Sequence, residues 1–269
     1  MLLGLDSCSH HLAFGCHMDL FSFIDKVSEY GLAGFQIDPM HLASCDRPYL
    51  KTVRQEAHAR HLFIEHGMMG VAPEDIRRNV EVCRTLGASV LRTFIGFDRF
   101  CRGTNVRNEL EKAKERLLLS IDVLECSGVK LAIENRGDVR SEELVRLVED
   151  IASPTVGICL DVANSLCVLE DPLEAARRMT PFVISVHFKD FAVVGTGSGC
   201  KMTGTVLGHG VLPLQELYQV IVDEAPVNKL VLEIPLEGGH GEKQVMEKEE
   251  TAIRESIRYC REILGIGAS

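Results

Sequence analysis

A (β/α)₈ barrel is the fold class this sequence predicts, on three observations. Short β-rich runs and longer helix-periodic stretches alternate eight times with no break in composition. The 269 residues are close to the about 250 that one such barrel uses. Polar side chains gather at the C-terminal ends of the later strand runs, the end where barrels of this kind carry their chemistry. An open doubly wound sheet is the competing architecture. No linker divides the chain, so residues 1–269 are expected to form one domain.

The strands are expected at "LLGLDS" (2–7), "GFQID" (34–38), "LFIEHG" (62–67), "VLRTFIG" (90–96), "KLAIEN" (130–135), "VGICLD" (156–161), "VISVHFKD" (183–190) and "KLVLEIP" (229–235). Between them, residues 73–87 read as a helix: Pro73 and acids open it, Ile76, Val80 and Cys83 share a face, and Gly87 stops it. Residues 105–128 read as one long helix, charged early, then apolar, ending at Gly128. Residues 141–153 read as a helix with Ser141 as N-cap and acids in its first turn. The stretch "FAVVGTGSGCKMTGTVLGHGVLP" (191–213) reads as a mobile loop over the barrel mouth. Its "GTGSGC" is a poor dinucleotide signal, because no helix starts directly after it.

Composition narrows the function classes. A net charge of −10 argues against partners that demand a basic face, such as nucleic acid or anionic membrane. No run approaches the about 18–20 apolar residues of a spanning helix, and "MLLGLDSCSHH" lacks both a basic start and a long apolar run. The chain therefore reads as cytoplasmic. The 10 cysteines form no CxxC pair and mostly sit in apolar runs, which suits reduced, buried thiols; Cys126 and Cys159 read as plain core. Met68, Met69, Phe97 and Phe100 are candidates for apolar rim contacts in a homo-oligomer, with core or pocket packing as the alternative.

The consecutive fifth to eighth strand runs end in Glu134, in Asp161 and Asn164, in His187 and Lys189, and in Glu233, an arc around half of the mouth. Three carboxylates and an imidazole in one cavity repel each other and lose solvation, at several kcal/mol per uncompensated ion. A divalent cation removes that conflict. Oxygen-rich coordination with one imidazole suits Mn²⁺ or Mg²⁺, with Co²⁺ or Zn²⁺ as alternatives. Glu134 then reads as a metal ligand, with Asn135 and Arg136 as support or substrate contacts. His66, His10 and His11 are candidates for the same cavity, against the alternative of hydrogen-bonded structural histidines.

At these residues the sequence resembles the xylose-isomerase-like barrel superfamily of metal-dependent sugar isomerases, epimerases and endonuclease-IV-like proteins. The resemblance rests on "IEN" (133–135), "CLDVANS" (159–165), "HFKD" (187–190), "LGHG" (207–210) and "LEIP" (232–235) and spans essentially the whole chain. It implies a metal held by Glu134, Asp161, His187 and Glu233, with Glu134 and Glu233 as the acid–base pair. The epimerases of the group usually carry a histidine where this chain has Asn164, and Gly-Glu-Gly where it has Gly208, His209 and Gly210. "ENRGD" with "LDVANS" is similar to a subgroup that includes decarboxylases of 3-oxo sugar acids such as 3-oxo-isoapionate.

The implied function is a divalent-metal-dependent sugar isomerase or epimerase acting on a small keto-sugar or keto-sugar acid through a metal-stabilised enediolate. Decarboxylation of a 3-oxo sugar acid reaches the same enediolate and is the alternative. Lys189 is a candidate to orient a substrate carboxylate or oxyanion, or else to pair with Asp190; Arg136 is a candidate two-pronged anchor; His66, Asn164 and His209 are further candidate substrate contacts. A DNA-repair nuclease on the same scaffold needs more ligands and a basic groove, so the partner is expected to be a small carbohydrate.

Overall fold

A computed structural model describes residues 1–238 and 242–266. Eight parallel strands close into a barrel: β1 (Leu2–Asp6), β2 (Gly34–Ile37), β3 (Phe63–Gly67), β4 (Val90–Thr93), β5 (Lys130–Glu134), β6 (Val156–Asp161), β7 (Val183–Phe188) and β10 (Lys229–Leu232), with β10 pairing back to β1. The intervening β8 (Asp190–Thr196) and β9 (Gly199–Thr205) form a separate antiparallel hairpin.

Helices follow the strands: α1 (His11–Cys16), α2 (Leu20–Glu29), α3 (Arg47–Ala59), α4 (Pro73–Leu86), α5 (Val106–Leu118), α6 (Ile121–Ser127), α7 (Ser141–Ile151), α8 (Pro172–Met179), α9 (Leu214–Glu224) and α10 (Glu242–Glu262). The main core lies between the helices and the outward face of the strands. In α4 the expected face, Ile76, Val80 and Cys83, is fully buried, each large aliphatic contributing about 1.5–3 kcal/mol. Gly87 ends this helix at φ 77°, a left-handed conformation that costs glycine least. Met68 belongs to this core, whereas Met69 and Phe100 are exposed.

Three expectations are corrected. The stretch after β7 is a loop only over residues 206–213; its first part is a hairpin. Thr196 pairs with Gly199 across the Gly197–Ser198 turn, so "GTGSGC" is the tip of a hairpin whose arms carry Val193, Val194, Thr203 and Thr205. Gly204 abuts the Pro235 backbone, where no side chain fits, and this close approach seats the hairpin beside the chain that follows β10. The long helix breaks into α5 and α6 around Ser120, whose Oγ donates to Arg116 O (3.4 Å), while Arg77 takes the Leu119 carbonyl left free (3.2 Å). Ser141 is the first helical residue rather than the cap: its Oγ donates to Glu170 (2.8 Å), and the Glu143 carboxylate takes the Arg140 N–H instead (2.7 Å). No helix among the described residues is long and apolar enough to cross a membrane.

Candidate metal centre

Strand alternation builds the site. Inward-facing positions two residues apart place Ala132 below Glu134, Cys159 below Asp161, Ser185 below His187 and Val231 below Glu233. Small side chains in the lower layer leave room for polar groups above. The ladder sets Asp161 beside His187 and His187 beside Val231, while Glu233 follows β10 directly and its N–H continues the pairing to Phe188 O (3.2 Å).

One ligand atom each from Glu134, Asp161, His187 and Glu233 falls within 4.8 Å of the others. His187 Nδ1 lies 3.2 Å from Glu233 and 4.0 Å from Glu134, with the imidazole and Asp161 fully buried. His187 Nε2 meets Gln36 Oε1 at 2.9 Å. Gln36 accepts the hydrogen bond of Nε2–H and so turns Nδ1 toward the carboxylates, where a bound cation would replace the Nδ1 proton, the role usual for a group hydrogen-bonded behind a metal-ligating histidine. Gln36 is held in turn: its amide donates to Glu65 (3.0 Å), which also accepts from Ser185 (2.8 Å), and Arg92 donates to Gln36 Oε1 (3.1 Å).

Two cations balance the acids. Lys189 Nζ stands 2.7 Å from Asp161 and 3.0 Å from Glu233, and Arg92 Nε 3.4 Å from Glu134. Burial pushes Asp161 up to about 6, against the pull of Lys189; it does the same to Asp6, against His187 and Arg92. For Glu233 burial is outweighed, and the Lys189 and His187 charges hold it well below the usual carboxylate range. For His187 burial also loses: Cys159 and Glu233 beside it raise the imidazole well above its ordinary value.

The donor set fits a divalent cation. Asp161 Oδ2, held by Lys189 Nζ at 2.7 Å, and His187 Nδ1, 3.2 Å from Glu233, are buried and converge with Glu134 in the four-residue cluster. Three carboxylates and one imidazole are ligands of the Mn²⁺ or Mg²⁺ type, with zinc also admissible.

The neighbours in sequence divide. Asn135 clamps the adjacent strand, donating to Asp161 O (3.0 Å) and accepting from Asp161 N–H (2.8 Å). Asn164 donates to Glu134 Oε1 (3.0 Å). Arg136 is exposed, its guanidinium 4.1 Å from the centre of the Phe94 ring. His66 is buried with Nε2 on Asn79 Oδ1 (2.9 Å), and burial lowers its pKa to about 4. His10 is buried against the Tyr30 hydroxyl (3.1 Å), and His11 is exposed. His209 is exposed on a loop that Asp190 pins through the N–H groups of Gly208 and Gly210 (3.0 and 2.8 Å). Asp190 is committed there, and Lys189 forms ion pairs with Asp161 and Glu233.

Sequence reasoning missed Asp6, Gln36, Arg92 and the position of Cys159. The signal was present for two of them: a glutamine in "GFQID" and an arginine in "VLRTF" are polar groups inside strands expected to be buried. Cys126, expected in the core, is exposed, whereas Cys159 is fully buried beside the cluster.

Comparison with known proteins agrees with this architecture. The chain is 28% identical over 218 residues to the 3-oxo-isoapionate decarboxylase of Pectobacterium atrosepticum, covering 80% of this chain and 77% of that protein. A crystal structure of D-psicose 3-epimerase in the presence of D-fructose superimposes with a TM-score of 0.77 at 16% identity, covering 98% of this chain and 100% of that one. The IOLI protein with a binding zinc atom gives 0.75 at 13% identity, covering 96% and 98%. These two likenesses establish the fold. The model of the xylose isomerase-like TIM barrel family matches residues 24–263, and the chain belongs to that family.

Proposed function

We propose that this chain is a divalent-metal-dependent isomerase or epimerase of a small keto-sugar or keto-sugar acid. The observation that carries the reading is the convergence of Glu134, Asp161, His187 and Glu233 within 4.8 Å at the C-terminal mouth. Those four residues would hold the ion, Mn²⁺ or Mg²⁺ first and Co²⁺ or Zn²⁺ as alternatives. When bound, such an ion polarises a carbonyl and an adjacent hydroxyl, which stabilises an enediolate.

The chain's own residues do the rest. Glu134 and Glu233 come from the two ends of the β5–β6–β7–β10 arc, and on this reading one carboxylate removes a proton from the carbon beside the carbonyl and the other returns one. Arg92 and Asn164 hold Glu134 from two directions. Gln36 keeps His187 Nδ1 turned into the site. Lys189 and Asn164 are the substrate contacts nearest the cluster, with Arg136 at the rim. His209, exposed on the loop held by Asp190, completes the proposed set, while His66, with Nε2 on Asn79, supports the barrel wall rather than touching substrate.

A second reading, decarboxylation of a 3-oxo sugar acid, is favoured by Lys189. Its ammonium is 7% exposed and sits among the acids, a placement suited to a substrate carboxylate. The 28% identity to a decarboxylase points the same way. In that reaction the bond to the carboxylate breaks, its electron pair passes into the enediolate, CO₂ leaves, and a carboxyl or water returns one proton.

NMR of metal-loaded protein in D₂O, against a panel of ketoses and 3-oxo sugar acids, separates the two. Deuterium entering an intact skeleton supports isomerase or epimerase; CO₂ with a ketose one carbon shorter supports the decarboxylase; a panel left unchanged with Mn²⁺ and Mg²⁺ alike removes both.

A further inference from the structure

The four-residue cluster does not exhaust the ligand atoms at the mouth. Cys159 is paired directly across the β5–β6 ladder from Glu134, and it stands two residues before Asp161 on the same inward face. It is fully buried. Its Sγ, a His187 nitrogen and a Glu134 oxygen all lie within 4.8 Å of one another, the same spacing that joins the four-residue set. The other neighbours of Cys159 in its small cluster, Val90, Ala132 and Ile184, are apolar. His187 is fully buried as well, with Nδ1 3.2 Å from Glu233 and 4.0 Å from Glu134.

We propose that Glu134, Cys159 and His187 form a second metal site for thiophilic divalent ions such as Zn²⁺ or Cd²⁺. It shares two ligands with the oxygen-rich set, so the two cannot be filled together.

Ligand chemistry separates the sites. Mg²⁺ and Mn²⁺ prefer carboxylate oxygen and gain little from sulfur, so they take Glu134, Asp161, His187 and Glu233. Zinc binds thiolate, imidazole and carboxylate together in four-coordinate geometry, with sulfur at about 2.3 Å and nitrogen or oxygen at about 2.0–2.2 Å. On binding, the S–H bond breaks, its proton leaves to solvent, and the sulfur electron pair forms the bond to the ion; nothing is oxidised or reduced. Of its three ligands, Cys159 lies one inward layer deeper than Asp161. An ion held there is displaced from the position that Asp161 and Glu233 define, and it also removes Glu134 and His187 from that set. Zinc uptake through Cys159 therefore opposes loading with Mn²⁺.

This inference shares Glu134 and His187 with the proposed catalytic site but does not depend on which reaction runs there. The test is zinc K-edge X-ray absorption on metal-stripped protein given one equivalent of Zn²⁺, run beside Mn²⁺ displacement followed by electron paramagnetic resonance. The expected result is one sulfur per zinc at about 2.3 Å. It should persist in a variant with the exposed Cys45, Cys101, Cys126 and Cys200 changed to serine. It should vanish in Cys159→Ser, whose Mn²⁺ affinity stays within about threefold of wild type while zinc displaces that Mn²⁺ less readily. Zinc bound through nitrogen and oxygen alone in wild type overturns the inference and leaves the proposed function standing. Sulfur retained in Cys159→Ser overturns it as well. Should Cys159→Ser fail to fold, the ¹¹³Cd NMR shift of wild type and of the exposed-cysteine variant decides: a shift without a thiolate ligand overturns the inference. Failure to bind any ion removes this inference and the proposed catalytic site together.

Discussion

His187 and His66 are both buried histidines near the C-terminal ends of barrel strands, yet their surroundings drive them in opposite directions. His187, on the arc from β5 to β10, has Glu134 and Glu233 near Nδ1 and a pKa raised well above the usual imidazole. His66, on the opposite half of the mouth, is dominated by burial, meets a neutral amide at Nε2, and falls to about 4. The difference separates a working wall from a supporting wall. On the arc, ligand atoms of four side chains converge within 4.8 Å; on the other half, Gln36, Glu65 and Arg92 bond one another into a brace behind the arc. Polarity is common to both halves, so polarity alone does not identify the site. Convergence does.

The comparison breaks most sharply at Glu134. Glu134→Gln keeps the size of the side chain and one acceptor but removes a ligand charge and a proton carrier. On the proposed reading turnover falls about a thousandfold or more and metal affinity drops, with circular dichroism unchanged. Near-wild-type turnover would take Glu134 out of the site. A smaller effect is expected across the boundary at Gln36, which touches the arc only through His187. Gln36→Leu removes the group that fixes the ring tautomer, so metal affinity falls about 10–100-fold. The loss should appear in calorimetric Kd and be recovered by raising the metal concentration, whereas excess metal does not restore Glu134→Gln.

The barrel was legible because alternation, length and strand-end chemistry agree; its strands, and α4 to its last turn, came out where periodicity put them. The hairpin was not, because a glycine-rich turn flanked by modest β-formers reads as loop until its seat against Pro235 is known. The break at Ser120 was hidden for a related reason: a backbone group accepted by Arg77, 42 residues away, leaves no local trace. At the site, the four converging residues could be read one strand at a time, since each is the polar end of an apolar run. Gln36 and Arg92 stood out as polar groups in buried runs, but their partners, like those of Cys159, could not be read that way. Their roles exist only across the ladder, in register relations such as Glu134 with Cys159 that no single run encodes.

The smallest effect tests the supporting wall itself. His66→Gln keeps a donor for Asn79 and leaves the four-residue cluster intact, so turnover should change less than about twofold, and stability at pH 7 should fall by about 1 kcal/mol for the disturbed buried hydrogen bond. The diagnostic quantity is how that gap moves with pH. Burial lowers His66 from 6.5 to about 4 in the folded chain, so between those values the unfolded chain binds a proton that the folded chain does not. The stability that neutral His66 allows is therefore complete above about pH 6.5 and lost as pH falls toward 4, by up to about 3 kcal/mol. The glutamine variant has no such loss. Its deficit should shrink as pH falls from 7, vanish just below about pH 6 and be reversed by pH 5, in urea denaturation series run on both proteins. His10 titrates in the same direction, while Asp6 and Asp161, raised to about 6, gain stability on acidification. All three are common to both proteins and cancel in the difference. A gap that stays constant with pH would show that His66 is not held neutral by burial. A large fall in turnover would move it from the supporting wall to the working one.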